Sequence, residues 1–196
     1  MIEDVAGAVL LAPALDYASR SAARLTLADL DRPSACAGWT AAEVLTHLTG
    51  SLRFLASSLT SGFVPEQVAE PSPGPVTVRT LCRDLSRAGA CLTAAAQDLR
   101  GRRSVAVGGM PLHCHQLIVV GAVEAAVHSW DATAGTVRCR SIPDDLAARL
   151  LVELPLIVDG KTRQGVFADP IVLPSNRPAA ERLLAALGRD PRAGLP

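Results

Sequence analysis

A short stretch in the second half of the chain, VEAAVHSWDATAG (residues 123–135), carries three ionisable side chains in apolar surroundings. Glu124 and His128 are four residues apart, so on an α-helix their side chains lie one turn apart on the same face. Asp131 follows three residues after His128 and lies close to that face. A carboxylate and an imidazole so placed can bind one metal ion or hydrogen-bond to each other. Spacing alone leaves both interpretations open and gives the hydrogen-bonded pair the larger weight.

The surroundings of Glu124 favour the metal ion. An unpaired carboxylate within the run LIVVGAVEAAVH is costly, and this run supplies no Lys or Arg to neutralise it. A third protein ligand must come from another helix. His47 is the best candidate, because its neighbours are apolar and an imidazole among them needs a partner: Val44, Leu45 and Leu48. Two histidines and one carboxylate suit zinc, although iron, nickel or manganese could also bind, and they leave coordination positions open.

The elements that must position these side chains are helices. The chain has 196 residues, of which 49% are hydrophobic but only 3% aromatic. A core made mostly of Leu, Val and Ala favours packed helices over a β-sandwich. Apolar stripes predict long helices at about 2–30, 40–61, 78–99 and 111–134, and shorter ones at about 143–158 and 177–188. The predicted fold class is all-α: a four-helix bundle with an extra helix and a small C-terminal tail that can hold a short strand.

Local signals mark several of these helix ends. Thr40 followed three residues later by Glu43 is a capping-box pattern, which predicts the start of the second long helix. Pro111 suits the first turn of the fourth, and Gly135 suits its C-terminal end. The intervening SVAVGG (104–109) predicts a short strand or an extended crossover. We expect one domain over residues 1–196, with the bundle at about 1–160 and an appendage at about 161–196.

Charge and composition exclude several classes of protein. Lys plus Arg and Asp plus Glu both number 19, so the net charge is zero and the basic surplus of a duplex nucleic-acid binder is missing. The apolar N-terminal run is preceded by Glu3 and Asp4 instead of a positive segment, which argues against a secretory signal. Apolar runs fall short of the roughly 18 residues of a membrane span. Five cysteines without a pairing pattern indicate reduced thiols and a cytoplasmic location.

Four segments together carry a family resemblance. They are CAGWTAAEVLTHLTG, VEAAVHSWDATAGT, RQGVFADPIVLP and RLLAALGRDP, and they fall in order between about residues 30 and 192. The chain thereby resembles the DinB-like superfamily, specifically the metal-binding branch related to mycothiol-dependent maleylpyruvate isomerase. Each motif is weak alone, but their common order and spacing make the set fairly specific.

The resemblance implies a fold, a site and a reaction class. It implies a DinB-like four-helix bundle with a metal ion, best suited by zinc, bound by His47, Glu124 and His128. It also implies mycothiol as co-substrate and an S-transferase or isomerase acting on a small electrophile. Two alternatives stay open: a thiol-independent metal-dependent lyase, hydrolase or cyclase of natural-product biosynthesis, and a non-catalytic metal-binding protein. The composition, rich in Ala, Arg and Gly, is typical of an actinobacterial protein.

Other residues are weaker candidates for the site. Asp131 could orient a ligand or act as a base, and His113, in the unusual segment LHCH (112–115), is a second catalytic candidate. Arg79 could bind an anionic thiol or carboxylate. Each also has a purely structural interpretation: a charge partner at the helix end, a first turn facing solvent, and a solvated arginine. Both tryptophans, Trp39 and Trp130, are expected in the core.

The expected partners follow from the same considerations. We expect a small-molecule substrate, mycothiol as a possible second one, and neither nucleic acid nor membrane. Whether the protein is a monomer or a homodimer is left open by the sequence, as are the electrophile and the physiological metal.

Overall fold

Four long helices dominate the computed structural model, which describes residues 2–64, 76–158 and 167–194, with side chains from residue 9 onward. These helices are α1 (Ile2–Arg24), α3 (Ala41–Ser61), α4 (Val78–Gln97) and α5 (Cys114–Thr133). The short helices are α2 (Leu27–Leu30), α6 (Asp144–Glu153) and α7 (Ala179–Ala186), and two strands, β1 (Ser104–Val107) and β2 (Met110–His113), form a hairpin before α5. The prediction of a mainly helical bundle is confirmed.

The long helices form a ring in which α5 packs against α1 and α3, and α4 packs against the same two helices from the other side. Neighbours α3 and α5 run in opposite directions. His47 near the start of α3 contacts His128 near the end of α5, whereas Phe63, just after α3, pairs with Ala106 in the hairpin that precedes α5. The start of α3 and the end of α5 therefore share one end of the bundle.

Small residues on α5 let its neighbours approach closely. Gly121 is within reach of three surrounding helices, and a Cβ there would lie 2.6 Å from a methyl carbon of Leu92 and 3.4 Å from one of Leu55. The interior is built mainly from leucine, alanine and valine, as the composition predicts. Trp130 is buried as expected, but the expectation for Trp39 is wrong, because its side chain lies at the end of the bundle and the residue is 39% exposed.

Capping decides where the first two long helices begin and end. The Thr40 hydroxyl accepts a hydrogen bond from the Glu43 amide, and the Glu43 carboxylate accepts one from the Thr40 amide at 2.7 Å, so the predicted capping box is confirmed. The prediction of one helix over residues 2–30 is wrong. Thr26 and Asp29 form a second capping box, with the Thr26 amide donating to the Asp29 carboxylate at 2.8 Å, so that α2 starts anew after α1 ends.

The predicted start of the fourth long helix at Pro111 is also wrong. Pro111 lies in β2, opposite Ala106 in the hairpin, and α5 begins only at Cys114. The two-residue turn Gly108–Gly109 has positive φ at both positions, which is the backbone that a tight hairpin requires. SVAVGG is therefore a strand and its turn, one of the two possibilities that the sequence left open.

The C-terminal part of the chain packs on the outside of the bundle, where α6 contacts α1 and α5. Helix α6 is followed by a 3-10 turn at Leu154–Leu156, which contains Pro155, and α7 packs against α6. The described part of the tail, 167–174, is extended without forming a strand, so the strand pair lies before α5 instead. None of the helices within the described residues is long and apolar enough to cross a membrane.

Gly188, just beyond α7, offers a test of how tightly the tail is held. Its φ is +79°, and an added Cβ would lie 2.7 Å from the backbone oxygen of Ala168. Gly188→Ala should therefore lower the free energy of unfolding by about 2–4 kcal/mol, combining left-handed strain with a clash that backbone cannot relieve cheaply. Gly135→Ala is the matched control, because φ is +74° but nothing lies within 4 Å. Gly135→Ala should lower the free energy of unfolding by only about 1–2 kcal/mol. Urea unfolding of both variants measures the difference, and equal losses would contradict close packing at Ala168.

Candidate metal centre

The carboxylate of Glu124 faces two imidazoles from two helices. Its Oε2 lies 3.5 Å from Nε2 of His128 on the same helix and 3.8 Å from Nε2 of His47 on α3. The imidazole rings of His47 and His128 are 5.0 Å apart between centroids and nearly perpendicular. These three side chains, predicted from the sequence as a set, are brought together by the antiparallel packing of α3 and α5.

The separations in this cluster suit a shared metal ion better than direct hydrogen bonds. Oε2 of Glu124 is buried and has no hydrogen-bond partner among the described residues, which is costly for a carboxylate. Two ligands of a tetrahedral zinc ion with bonds of about 2.0–2.2 Å are roughly 3.3–3.6 Å apart. All three candidate ligand atoms lie within 4.8 Å of one another. The donor set and the unpartnered oxygen therefore fit a divalent ion, and three ligands leave room for an exogenous group.

The other ring nitrogen of His128 is held by Asp131. Nδ1 of His128 lies 3.1 Å from Oδ2 of Asp131, which is completely buried. When Nδ1 donates its hydrogen to that carboxylate, the lone pair of Nε2 is turned toward Glu124 and His47. A carboxylate behind a histidine is the common outer partner of a metal ligand, because it fixes the tautomer and the ring orientation. Asp131 is therefore placed to orient a ligand.

A residue that the sequence did not single out completes this arrangement. Arg189, one residue beyond Gly188, donates from Nη2 to Oδ2 of Asp131 at 3.0 Å and from Nε to Oδ1 at 3.3 Å. The thiol of Cys36 lies 3.2 Å from the same Oδ2 and can donate to it. Arg189 falls within RLLAALGRDP, quoted above for its family resemblance, but neither charge nor spacing predicts that it reaches α5.

Buried charges around His128 shift its pKa and that of its partners. Burial alone would lower the pKa of His128, but its hydrogen bonds to Asp131 and Cys36 and the charge of Glu124 outweigh it and raise the pKa to about 10. Burial raises the pKa of Asp131, yet His128 and Arg189 together hold it below its usual range. Without a metal ion, His128 is thus an imidazolium between two carboxylates at neutral pH.

His47 forms the solvent side of the cluster. Its side chain is 42% exposed, against 13% for His128. Burial and the nearby charge of His128 lower the pKa of His47, although Glu124 opposes this. The ring of Trp39 stands edge-on to His47 at 4.9 Å between centroids, and the Ser51 hydroxyl lies 3.4 Å from Nε2 of His47. Among the described residues, His47 and Trp39 therefore form the exposed side of the cluster.

Two predicted site residues are not brought into the cluster. His113 is exposed at the start of α5, fifteen residues before His128, which is roughly 22 Å along the helix axis. The neighbouring His115 pairs with Glu153 of α6 at 3.0 Å, so LHCH lies at the end of the bundle away from the cluster. Arg79 is exposed in the first turn of α4. Because Arg102, shortly after α4, bonds to the Thr60 carbonyl near the end of α3, α4 starts at the same end of the bundle as the cluster.

A second group of possible ligands lies on the far side of His128. Cys36, His128 and Asp131 also have ligand atoms within 4.8 Å of one another, and they use Nδ1 where the first group uses Nε2. These two groups are the candidate metal-ligand sets within the described part of the chain. The second set already contains a separate cation, the guanidinium of Arg189, whereas the Glu124 oxygen of the first has no hydrogen bond among the described residues.

The fold and this cluster define a helical-bundle protein with a candidate metal centre at one end. A family model described as the mycothiol maleylpyruvate isomerase N-terminal domain matches residues 11–133, and the chain belongs to that family. The predicted resemblance is thereby confirmed. The match covers the later part of α1, all of α3, α4 and α5, and both of the residues on α5 that face His47, but it ends before Arg189.

Solved structures agree on the fold. The crystal structure of the mycothiol-dependent maleylpyruvate isomerase is 18% identical, with a TM-score of 0.57, and the match covers 76% of this chain and 68% of that one. A His-to-Ala mutant of that isomerase matches over the same shares with 16% identity and a TM-score of 0.54. At these identities the likeness concerns the fold. Among curated protein sequences, none matches the chain at a significant level.

Proposed function

We propose that the protein is a metal-dependent enzyme that uses a low-molecular-weight thiol, mycothiol, in S-transfer to, or isomerisation of, a small electrophile. The observation that carries the proposal is the buried Oε2 of Glu124, which has no hydrogen bond among the described residues and faces Nε2 of both His47 and His128. Zinc is the proposed ion, because two imidazoles and a carboxylate suit it and it adds no redox chemistry. Membership of the family supports the thiol, since the family description names mycothiol.

The residues of the cluster have two roles: some would hold the metal ion, and others lie on the side from which the substrates enter. When bound, a divalent ion lowers the pKa of a coordinated thiol and polarises a carbonyl. Glu124 and His128 would hold the ion from the buried side, and Asp131 fixes the His128 ring with Nε2 facing Glu124. In this proposal, the thiol and the electrophile enter from the exposed side of the cluster, at the edge of His47 beside Trp39. Asp131 is fully paired, so we assign it to orientation and not to proton transfer.

Arg79 remains our candidate for binding the thiol. It is exposed at the end of the bundle that holds the cluster, where a cation can attract an anionic group without contacting the metal ligands. The catalytic role predicted for His113 is not part of this proposal, because the residue lies at the other end of α5.

Cobalt substitution tests the thiol directly. We expect mycothiol to produce thiolate-to-cobalt charge-transfer absorption in the cobalt-loaded protein, because that band appears only when sulfur enters the coordination sphere. Arg79→Ala should weaken mycothiol binding about tenfold or less, as expected for one exposed charge, without changing cobalt affinity. Arg87→Ala, an exposed arginine two turns further along α4, is the matched control.

Each outcome of that experiment decides between named functions. Charge transfer together with turnover of a thiol-reactive electrophile supports the transferase or isomerase. Turnover without any thiol effect would replace it with a thiol-independent lyase, hydrolase or cyclase. A folded protein that binds cobalt but neither thiol nor electrophile would be a metal-binding protein without this activity.

A further inference from the structure

We propose that Arg189 occupies the second ligand set, Cys36, His128 and Asp131, and thereby confines the metal ion to the first. The inference rests on the proposed metal site and concerns how that site is selected. Both sets compete for His128, because each of them uses one of its two ring nitrogens. An ion bound by Cys36 and Asp131 would take the lone pair of Nδ1, which leaves the ring hydrogen on Nε2 and removes the lone pair that the first set needs.

The guanidinium of Arg189 lies where a cation in the second set would lie. Nη2 is 3.0 Å from Oδ2 of Asp131 and 3.9 Å from Sγ of Cys36, while Nε bonds to the other carboxylate oxygen. Oδ2 of Asp131 already accepts from Arg189, Cys36 and His128. A metal ion bound by Cys36 and His128 would replace the hydrogen bonds of those two residues, but the guanidinium would still hold both oxygens of Asp131. The ion could therefore bind there only after the guanidinium had left.

The backbone and the surrounding side chains hold Arg189 in this place. Its amide donates to the Leu184 carbonyl at 2.9 Å, closing the turn after α7, and its Nη1 donates to the Leu187 carbonyl at 3.0 Å. The guanidinium carbon lies 6.0 Å from the centre of the Phe167 ring. Only 14% of the side chain is exposed, so the charge is not free to swing into solvent.

Once a metal ion holds Nε2, His128 is neutral, so removal of this arginine leaves the buried carboxylate of Asp131 without a cation. An uncompensated buried charge is strongly unfavourable, and a divalent ion is the cation that a thiol, an imidazole and a carboxylate together recruit. In Arg189→Met, we therefore expect Sγ of Cys36 to bind the ion. The Cys36 thiol and the Nδ1–H group of His128 each release a proton to solvent as their bonds to the ion form, while the hydrogen on Nε2 stays in place. No oxidant or reductant is required.

Cobalt spectra without any added thiol distinguish the two sets. The wild-type protein should bind one cobalt ion without thiolate charge transfer. Arg189→Met should show that band, and the double variant Arg189→Met, Cys36→Ser should lose it. Arg189→Lys keeps the charge and should behave like the wild type. Arg192→Met, a change at an exposed arginine three residues further on, is the matched control and should change nothing.

Three results would overturn the inference. The first is Cys36-dependent charge transfer in the wild type, and the second is its absence in a folded Arg189→Met protein that binds cobalt with unchanged affinity. The third is a tenfold loss of cobalt affinity in Cys36→Ser, made in the wild-type background, because it would show that sulfur already binds the ion. This variant tests the inference even if Arg189→Met does not fold. A different result is that the wild-type protein binds no cobalt, whereas Arg189→Met binds cobalt through Cys36. This result would refute the proposed function but would keep Arg189 as the occupant of the second set.

Discussion

Replacement of Glu124 by glutamine should weaken zinc binding by more than about 100-fold, because loss of even an outer partner of a metal ligand costs 10–100-fold. The amide has nearly the shape of the carboxylate but lacks its charge, so packing on α5 is preserved while the ion loses its only proposed anionic protein ligand. His128→Ala and His47→Ala should have comparable effects. Competition with a chelator of known affinity measures each dissociation constant, and elemental analysis gives the stoichiometry, expected to be about one ion per chain.

His113→Ala is the control for the ligand variants, because it removes an imidazole from the same helix roughly 22 Å from His128. Its zinc affinity should equal that of the wild type. Full zinc occupancy in a His47→Ala, His128→Ala double variant would contradict the assignment of the metal site. The helical signal in far-UV circular dichroism should survive removal of the ion, since the bundle has a core of its own and does not depend on a metal for folding.

Zinc affinity should rise about tenfold per pH unit between pH 7 and 9. His128 must lose a proton before Nε2 can bind an ion, and its pKa in the metal-free protein is raised to about 10. His47, whose pKa is lowered, is already neutral over this range and adds no further slope. Calorimetry at pH 7 in buffers of different ionisation enthalpy should therefore detect close to one proton released per ion.

The raised pKa of His128 also affects the stability of the metal-free protein. A group whose pKa is higher in the folded than in the unfolded state stabilises the fold fully below the unfolded value. For His128 this contribution is complete below about pH 6.5 and is lost as the pH rises through about 10. Asp131→Asn removes the main interaction that raises the pKa, so it should flatten the dependence of zinc affinity on pH. A wild-type affinity independent of pH would contradict the buried imidazolium.

The helices were predictable because their signals are local. Apolar periodicity located all four long helices, and Thr40 with Glu43 fixed the start of α3 within a residue. The errors lie where two local signals compete. Thr26 and Asp29 form a capping box inside an apolar stripe, and the stripe alone suggests one continuous helix. Pro111 suits a first helical turn, but the preceding glycine pair forms a hairpin that holds it in a strand.

The site was only partly predictable, for a related reason. Glu124 and His128 are neighbours through helical spacing, and His47 follows from its apolar setting, so sequence reasoning finds these three. Arg189 contacts Asp131 from 58 residues away, and this contact depends on how the tail folds back over the bundle. Periodicity and composition carry no information on such a long-range contact. The exposure of Trp39 could not be predicted either, because it depends on the shape of the bundle end and not on the residue's own hydrophobicity.

The position of Trp39 gives the protein an intrinsic optical reporter. The chain contains two tryptophans, of which Trp130 is buried and Trp39 is half-exposed with its ring edge-on to His47. Indole emission responds to a change in solvent contact and is quenched by a nearby paramagnetic ion. Arrival of cobalt, or of a molecule entering past His47, can therefore be followed by fluorescence in real time without a label. A Trp39→Phe variant isolates the emission of Trp130 as background.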